Sequence, residues 1–247
     1  MSQRVAIVFG AGRGLGRGCA ERLAADGLAV VASARTGTDL DECAHAIEAA
    51  GGTAYGFVAD ATRQDDVAAA VAFAESRGDL RVCVNAAGTN RPGRARDYQM
   101  GDWDLLFDVN VRATFLTCRA FGDSLLRREA PGAIINLSSQ MGHVGFPGRV
   151  AYCATKHAVE GLTKALAVEW APDGIRVNTV APTFVETPMT RPMLADPTFT
   201  EEVLTRIPTR TLATVEQVAA AVAYLASDAA ASVTGHSLRV DGGWTAW

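Results

Sequence analysis

Seven short apolar runs, set between stretches of helical periodicity, constrain the fold of this chain more than any other feature. They occupy residues 5–9, 28–32, 53–58, 82–85, 133–137, 176–180 and 237–240. Val5-Ala6-Ile7-Val8-Phe9 and Ala133-Ile134-Ile135-Asn136-Leu137 are apolar on successive residues rather than alternate ones, the pattern of strands covered on both faces. Helical patterns fill the gaps, for example over 64–77 and 214–227. The alternation predicts an α/β protein with a doubly wound parallel sheet of seven strands, helices on both faces, and a ligand site beyond the carboxyl ends of the strands.

With 247 residues, 49% apolar and 20% charged, the chain suits one large, well-buried domain. No repeat, low-complexity tract or linker divides it, so residues 1–247 are expected to form a single domain. Residues 183–208 stand apart: the prolines at 182, 188, 192, 197 and 208 predict short helices over a pocket mouth, a substrate loop. The net charge of −4, with no run of Lys or Arg longer than two, argues against nucleic acid or an anionic membrane as partner. No apolar stretch reaches spanning length and Met1-Ser2-Gln3-Arg4 leads straight into a strand, so a cytoplasmic protein without a cleaved signal is expected. The five cysteines show no C-x-x-C and no interleaved histidines, which predicts reduced, mostly buried thiols and no metal site; Cys153 reads as a small apolar filler.

The first strand runs into Gly10-Ala11-Gly12-Arg13-Gly14-Leu15-Gly16 and then a helical stretch. Glycines there let the chain turn tightly and let a pyrophosphate approach a helix N-terminus, whose free N–H groups favour anions. The spacing is G-x-x-x-G-x-G, since Leu15 stands where G-x-G-x-x-G needs glycine. The sheet is therefore expected to be of the Rossmann type. After the second strand, where an acid would favour the 2′-hydroxyl of NAD, stands Arg35. Arg35 and Arg13 together suit a 2′-phosphate, which favours NADP(H) and leaves NAD(H) as a possible second cofactor.

Tyr152-Cys153-Ala154-Thr155-Lys156, thirteen residues beyond Ser139, carries the chemistry. On a helix Tyr152 and Lys156 are i and i+4 and share a face. A free tyrosine titrates near ~10, so an adjacent cation is needed to bring its phenolate within reach of neutral pH. Such a trio donates a proton to a carbonyl, or withdraws one from an alcohol, as a hydride is transferred.

The glycine loop, Asp60, Asn85-Ala86-Ala87-Gly88, Asn110, Ser139, Tyr152-x-x-x-Lys156 and residues 182–187 together resemble the short-chain dehydrogenase/reductase family, in its order and over nearly the whole chain. The resemblance implies Tyr152 as general acid and base, Lys156 lowering its pKa and binding the nicotinamide ribose, Ser139 holding the substrate oxygen, and Asn110 holding a water for proton relay. It further implies cofactor contacts from Gly10, Gly14, Leu15, Gly16, Asp60, Ala61, Asn85, Ala86, Ala87, Gly88, Pro182, Val185 and Thr187. Phe9 replaces the usual threonine before the loop, and Thr183 the usual glycine after Pro182.

Pro182-Thr183, Ser138-Ser139-Gln140 and the arginine pair are similar to the NADPH-dependent dicarbonyl/L-xylulose reductase and sugar/polyol dehydrogenase branch. This makes Gln140 an expected substrate contact. Arg149 stands where that branch carries a substrate histidine, and suits either a carboxylate-bearing substrate or the protein surface. His143 is a further candidate pocket residue. The implied activity is hydride transfer between NADP(H) and a small polar carbonyl or secondary alcohol. The alternatives are a 3-oxoacyl thioester reductase, for which Arg191 near the mouth is the one basic mark, an NAD-dependent sugar or alcohol dehydrogenase, and a non-catalytic cofactor-sensing protein. The family pairs its two long central helices between subunits, so the apolar faces within 104–126 and 150–170, with Trp244 and Trp247, suggest a homotetramer.

Overall fold

The structure, a computed structural model, describes residues 3–246. Strands β1 (Arg4–Phe9), β2 (Ala29–Ala34), β3 (Thr53–Val58), β4 (Asp79–Asn85), β5 (Gly132–Leu137), β6 (Ile175–Pro182) and β7 (Ser237–Val240) form one sheet in the order β3-β2-β1-β4-β5-β6-β7. Every neighbouring pair is parallel. The helices are α1 (Gly14–Ala25), α2 (Gly37–Ala49), α3 (Gln64–Glu75), α4 (Met100–Phe107), α5 (Ala113–Arg127), α6 (Val150–Trp170), α7 (Arg191–Leu194), α8 (Pro197–Arg206) and α9 (Val215–Ala226). The architecture is the doubly wound Rossmann type.

Successive side chains of a strand point to opposite faces, which is why unbroken apolar runs were needed. Ala6 and Val8 of β1 enter one core with Val30 and Ala32 of β2, under Leu23 of α1, Ile47 of α2 and Val218 and Val222 of α9. Val5, Ile7 and Phe9 enter the other with Ala29 and Val31, under Val67 of α3, Phe121 and Leu125 of α5 and Trp170 of α6. Each large aliphatic or aromatic side chain so buried contributes roughly 1.5–3 kcal/mol of transfer free energy.

Several boundaries differ from the sequence reading for local reasons. β4 begins at Asp79 rather than at Val82, because Arg81 donates to Asp79 at 2.7 Å and this pair conceals the strand's polar start. β2 continues to Ala34, so Arg35 follows the strand directly. The stretch 104–126 is interrupted: between α4 and α5 residues 108–112 make a π-helical turn that carries Asn110. Such turns displace one residue from the regular spacing and recur at functional positions. Thr214 caps α9 by accepting from Gln217 N at 3.2 Å while its own N–H donates to Gln217 Oε1 at 3.0 Å, a capping box.

The segment after β6 forms α7 and α8, the short helices expected there. Val203 of α8 and Ile207 just beyond it pack on Met141, Phe184 and Trp244 in a third apolar cluster that reaches Tyr152. Trp244 is therefore buried within its own subunit, its ring centroid 6.0 Å from those of both Phe146 and Phe184. It has no free face to offer a partner, which corrects its expected place in a subunit interface; Trp247 lies outside the described residues.

Candidate active site

β1 and β4 are adjacent, while the connections leaving them run to opposite sides of the sheet. Beyond their carboxyl ends lies a cavity of about 620 Å³. Its floor is the glycine loop. Gly10 N donates to Ser33 O at 2.7 Å, and Ala86 N to Phe9 O at 2.9 Å, tying the loop to β2 and β4. Gly10 has a φ of +83°, and a Cβ there would sit 2.6 Å from Ala87 N; a Cβ on Gly16 would fall 2.1 Å from Gly10 O. Only glycine permits this closeness, which aims the first N–H groups of α1 into the cavity.

Of the expected cofactor contacts, Gly10, Arg13, Gly14, Leu15, Gly16, Arg35, Asp60, Ala61, Ala86, Ala87, Gly88, Tyr152, Pro182, Val185 and Thr187 line this cavity. Arg13 and Arg35 are exposed at its edge and take part in no ion pair among the described residues. Burial pushes the Asp60 carboxyl up, but the Thr62 N–H and hydroxyl, at 2.9 and 2.7 Å, with the charges of Arg35 and Arg63, outweigh it and hold the pKa below its ordinary value. Asn85 stands elsewhere: its amide donates to Asn136 Oδ1 at 2.8 Å inside the sheet, so its role here is to join β4 to β5.

Tyr152 and Ser139 face the cavity together. Lys156 and Asn110 stand behind Gly88: a Cβ there would lie 3.9 Å from Lys156 Nζ and 3.5 Å from Asn110 Oδ1, in ordinary contact with both. Lys156 is buried and donates to Leu137 O at 2.7 Å, with its ammonium 5.7 Å from the Tyr152 ring centre. Asn110 accepts from Thr89 N at 2.8 Å and donates to Thr89 O at 2.9 Å and Thr155 Oγ1 at 3.1 Å. The Ser139 hydroxyl donates to Gln140 Oε1 at 3.2 Å and accepts from Met141 N at 3.1 Å.

The remaining expected substrate residues lie outside the cavity wall. Gln140 is buried beneath Ser139 and orients its hydroxyl. His143 is turned away, with Nε2 2.9 Å from Ser237 Oγ and 3.2 Å from Glu160 Oε1. Arg149 lies beside Tyr152, with Nη2 3.0 Å from Met193 Sδ. Glu160 went unnoticed in the sequence, although it is one helical turn beyond Lys156 and raises its pKa. Its buried carboxylate accepts from Thr179 Oγ1 at 3.0 Å and Ser237 Oγ at 3.1 Å. Ser33, Asn90, Ser138 and Thr183 were also missed, though three of them mark the ends of β2, β5 and β6, where this fold binds ligands. Each carries a buried side-chain polar atom without a partner. Such atoms cost ~1–3 kcal/mol apiece, and here they are gathered around one cavity, as a polar, many-atom ligand such as a dinucleotide requires.

The tyrosine's acidity differs from the expectation. Burial pushes the Tyr152 phenol up to about 12, against the Ser139 hydrogen bond and the Arg149 charge, which draw it down. Burial also lowers the Lys156 ammonium to about 8, partly offset by Glu160. The lysine gives its hydrogen bond to Leu137, and desolvation of the phenol outweighs the Arg149 charge beside it.

Residues 10–245 match the family model described as enoyl-(acyl carrier protein) reductase. A D-threitol dehydrogenase of Mycolicibacterium smegmatis is 37% identical over 243 residues, 98% of this chain and 93% of its own length. A galactitol 2-dehydrogenase of Rhizobium johnstonii is 40% identical over 248 residues, 98% and 95% of the two chains. The crystal structure of a gluconate 5-dehydrogenase from Burkholderia cenocepacia, in complex with NADP and tartrate, superimposes with a TM-score of 0.94 at 33% identity, covering 99% of this chain and 96% of that one. The chain belongs to the short-chain dehydrogenase/reductase family. Within it, the protein is an oxidoreductase acting on CH–OH and C=O groups.

A phenol held protonated is ready to donate, so carbonyl reduction should run without a phenol-dependent loss across neutral pH. Alcohol oxidation, which needs the phenolate as proton acceptor, should keep rising with pH up to 10, since burial pushes that phenol up to about 12. Initial rates in both directions from pH 6 to 10 check this; an oxidation profile that levels off below pH 7 would contradict it.

Proposed function

We propose that the protein transfers a hydride between NADP(H) and a small polar carbonyl or secondary alcohol of the sugar, polyol, hydroxyketone or diketone class. The observation that carries this reading is the placing of Tyr152 and Ser139 on one wall of the same cavity whose floor is the glycine loop, with Lys156 immediately behind. NADP(H), when bound, supplies or accepts the hydride. The Gly10–Gly16 loop and the α1 N-terminus would hold the pyrophosphate, and Arg13 and Arg35 the 2′-phosphate. Asp60 and Ala61 would meet the adenine. Ala86 to Gly88, with Pro182, Val185 and Thr187, would seat the nicotinamide end, and Lys156 its ribose.

Ser139, its hydroxyl oriented by Gln140 and Met141, holds the substrate oxygen where negative charge grows during reduction. Tyr152 gives that oxygen a proton, and takes one back in oxidation. Asn110 opens the route for Lys156 to exchange protons with solvent through a water. The names of the threitol, galactitol and gluconate relatives support a polyhydroxylated substrate. The thioester alternative finds no added support, since Arg191 is offset by Glu186 at 3.4 Å.

Replacing Tyr152 with Phe removes the proton and little volume. Turnover should fall by about 10²–10⁴-fold, with NADPH affinity retained. Steady-state rates and NADPH fluorescence titration measure both, and unchanged turnover would remove Tyr152 as the proton donor.

A cytoplasmic homotetramer completes the proposal. Among the described residues no helix is long and apolar enough to cross a membrane, and the five cysteines are unpaired. Phe115 on α5 and Val150 and Val168 on α6 are exposed, the last 80%. They give the two long helices an apolar outer face suited to pairing. Sedimentation velocity at micromolar concentration should show four subunits, and a monomer would remove the proposal.

A further inference from the structure

Arg149 is buried and Arg176 half-buried, and they differ in how their guanidinium groups are satisfied. Arg176 donates to the carbonyl oxygens of Leu225 at 2.7 Å, Ser227 at 3.2 Å and Val233 at 3.4 Å, as a structural arginine does. Arg149 is only 6% exposed yet donates to its neighbour Gly148 O at 3.1 Å and to the thioether of Met193, a weak acceptor. Its Nε has no partner, and among the described residues no carboxylate lies within 4 Å of it. The groups that face the guanidinium electrostatically are Tyr98, Tyr152 and Cys153, none of which offers a carboxylate. A buried, uncompensated guanidinium is costly, and nothing in the fold repays the cost.

Its position shows what would repay it. Arg149 is the residue before α6, three positions from Tyr152, and its charge is felt by the Tyr152 phenol. Its backbone is bridged to Gly93 of the β4–α4 connection, and Met193 covers it from α7. Arg149 thus stands beside Tyr152, between the β4–α4 connection and α7 of the segment after β6. The amide of Gln140, beneath Ser139, is a second buried donor left unpartnered.

We propose that Arg149 is the substrate-binding guanidinium of this enzyme, and that its substrate is a hydroxy acid or oxo acid whose carboxylate replaces the Met193 thioether as acceptor. The inference rests on the oxidoreductase reading above and narrows its substrate class from neutral polyols to their acids. The planar fork of arginine, with its adjacent Nε and Nη donors, matches the two oxygens of a carboxylate.

The test compares D-gluconate with D-glucitol, which differ only by carboxylate against hydroxymethyl at one end. Each is titrated calorimetrically into the enzyme saturated with NADP, for the wild type, Arg149→Lys and Arg149→Met. The wild type should bind gluconate about 10- to 100-fold more tightly than glucitol, the range of a charge-assisted hydrogen bond. Arg149→Met should abolish the preference and Arg149→Lys restore part of it, both with NADPH affinity retained. Equal affinities in the wild type, including no binding of either compound, or a preference that survives in Arg149→Met, would overturn the proposal. Should Arg149→Met fail to fold, the wild type and Arg149→Lys still decide. NADPH-linked turnover of neutral hydroxyketones together with such a result would sink the carboxylate alone, whereas no turnover across neutral and acidic carbonyls would sink the oxidoreductase reading.

Discussion

The hydrogen bond from the buried Lys156 ammonium to the Leu137 carbonyl holds the site together. Taking an ammonium out of water costs several kcal/mol, and the cost is met only where the fold provides fixed acceptors and a nearby negative charge. Leu137 ends β5 and supplies the acceptor; Glu160, one turn along α6, supplies the charge. Meeting both fixes the rotation of α6 against the sheet. That rotation places Tyr152, one turn before the lysine, on the cavity wall beside Ser139. Gly88 forms the wall in front of the lysine and Asn110.

The same interior logic explains the chain's unusual concentration of unsatisfied polar atoms. In most of the interior, buried polar groups find partners: Asn85 with Asn136, Asn136 with Thr163, Glu160 with Thr179 and Ser237. The exceptions cluster at one place, where Ser33, Asn90, Ser138 and Thr183 face the cavity and Gln140 and Arg149 lie beside Ser139 and Tyr152. A fold that satisfies its polar groups elsewhere and leaves these open is shaped for ligands rich in hydrogen-bonding atoms.

The sheet was legible in the sequence because a parallel strand buried on both faces must be apolar at every position, as Val5 to Phe9 are. The loop and the Tyr152/Lys156 pair were legible because their chemistry depends on close spacing along the chain. What depended on long-range packing was not. The π-helical turn at Asn110 leaves no mark in periodicity, and the Asp79–Arg81 pair conceals the start of β4. His143 read as a pocket residue from its distance to Ser139, but its ring follows Glu160 and Ser237, which lie far along the chain. Trp244 read as an exposed anchor and is instead held by Phe146 and Phe184. The raised pKa of Tyr152 belongs to the same group, since burial outweighs a charge that the motif alone suggested would dominate.

We propose that the cavity is a dinucleotide site whose adenosine end is read by Arg13 and Arg35, which take part in no ion pair among the described residues. Calorimetric titration of the purified protein with NADPH and NADH side by side tests it most directly. The account predicts markedly tighter binding of NADPH, with the difference lost when Arg13 and Arg35 are both replaced by alanine. Tighter binding of NADH, or a preference for NADPH that survives the double replacement, would contradict it.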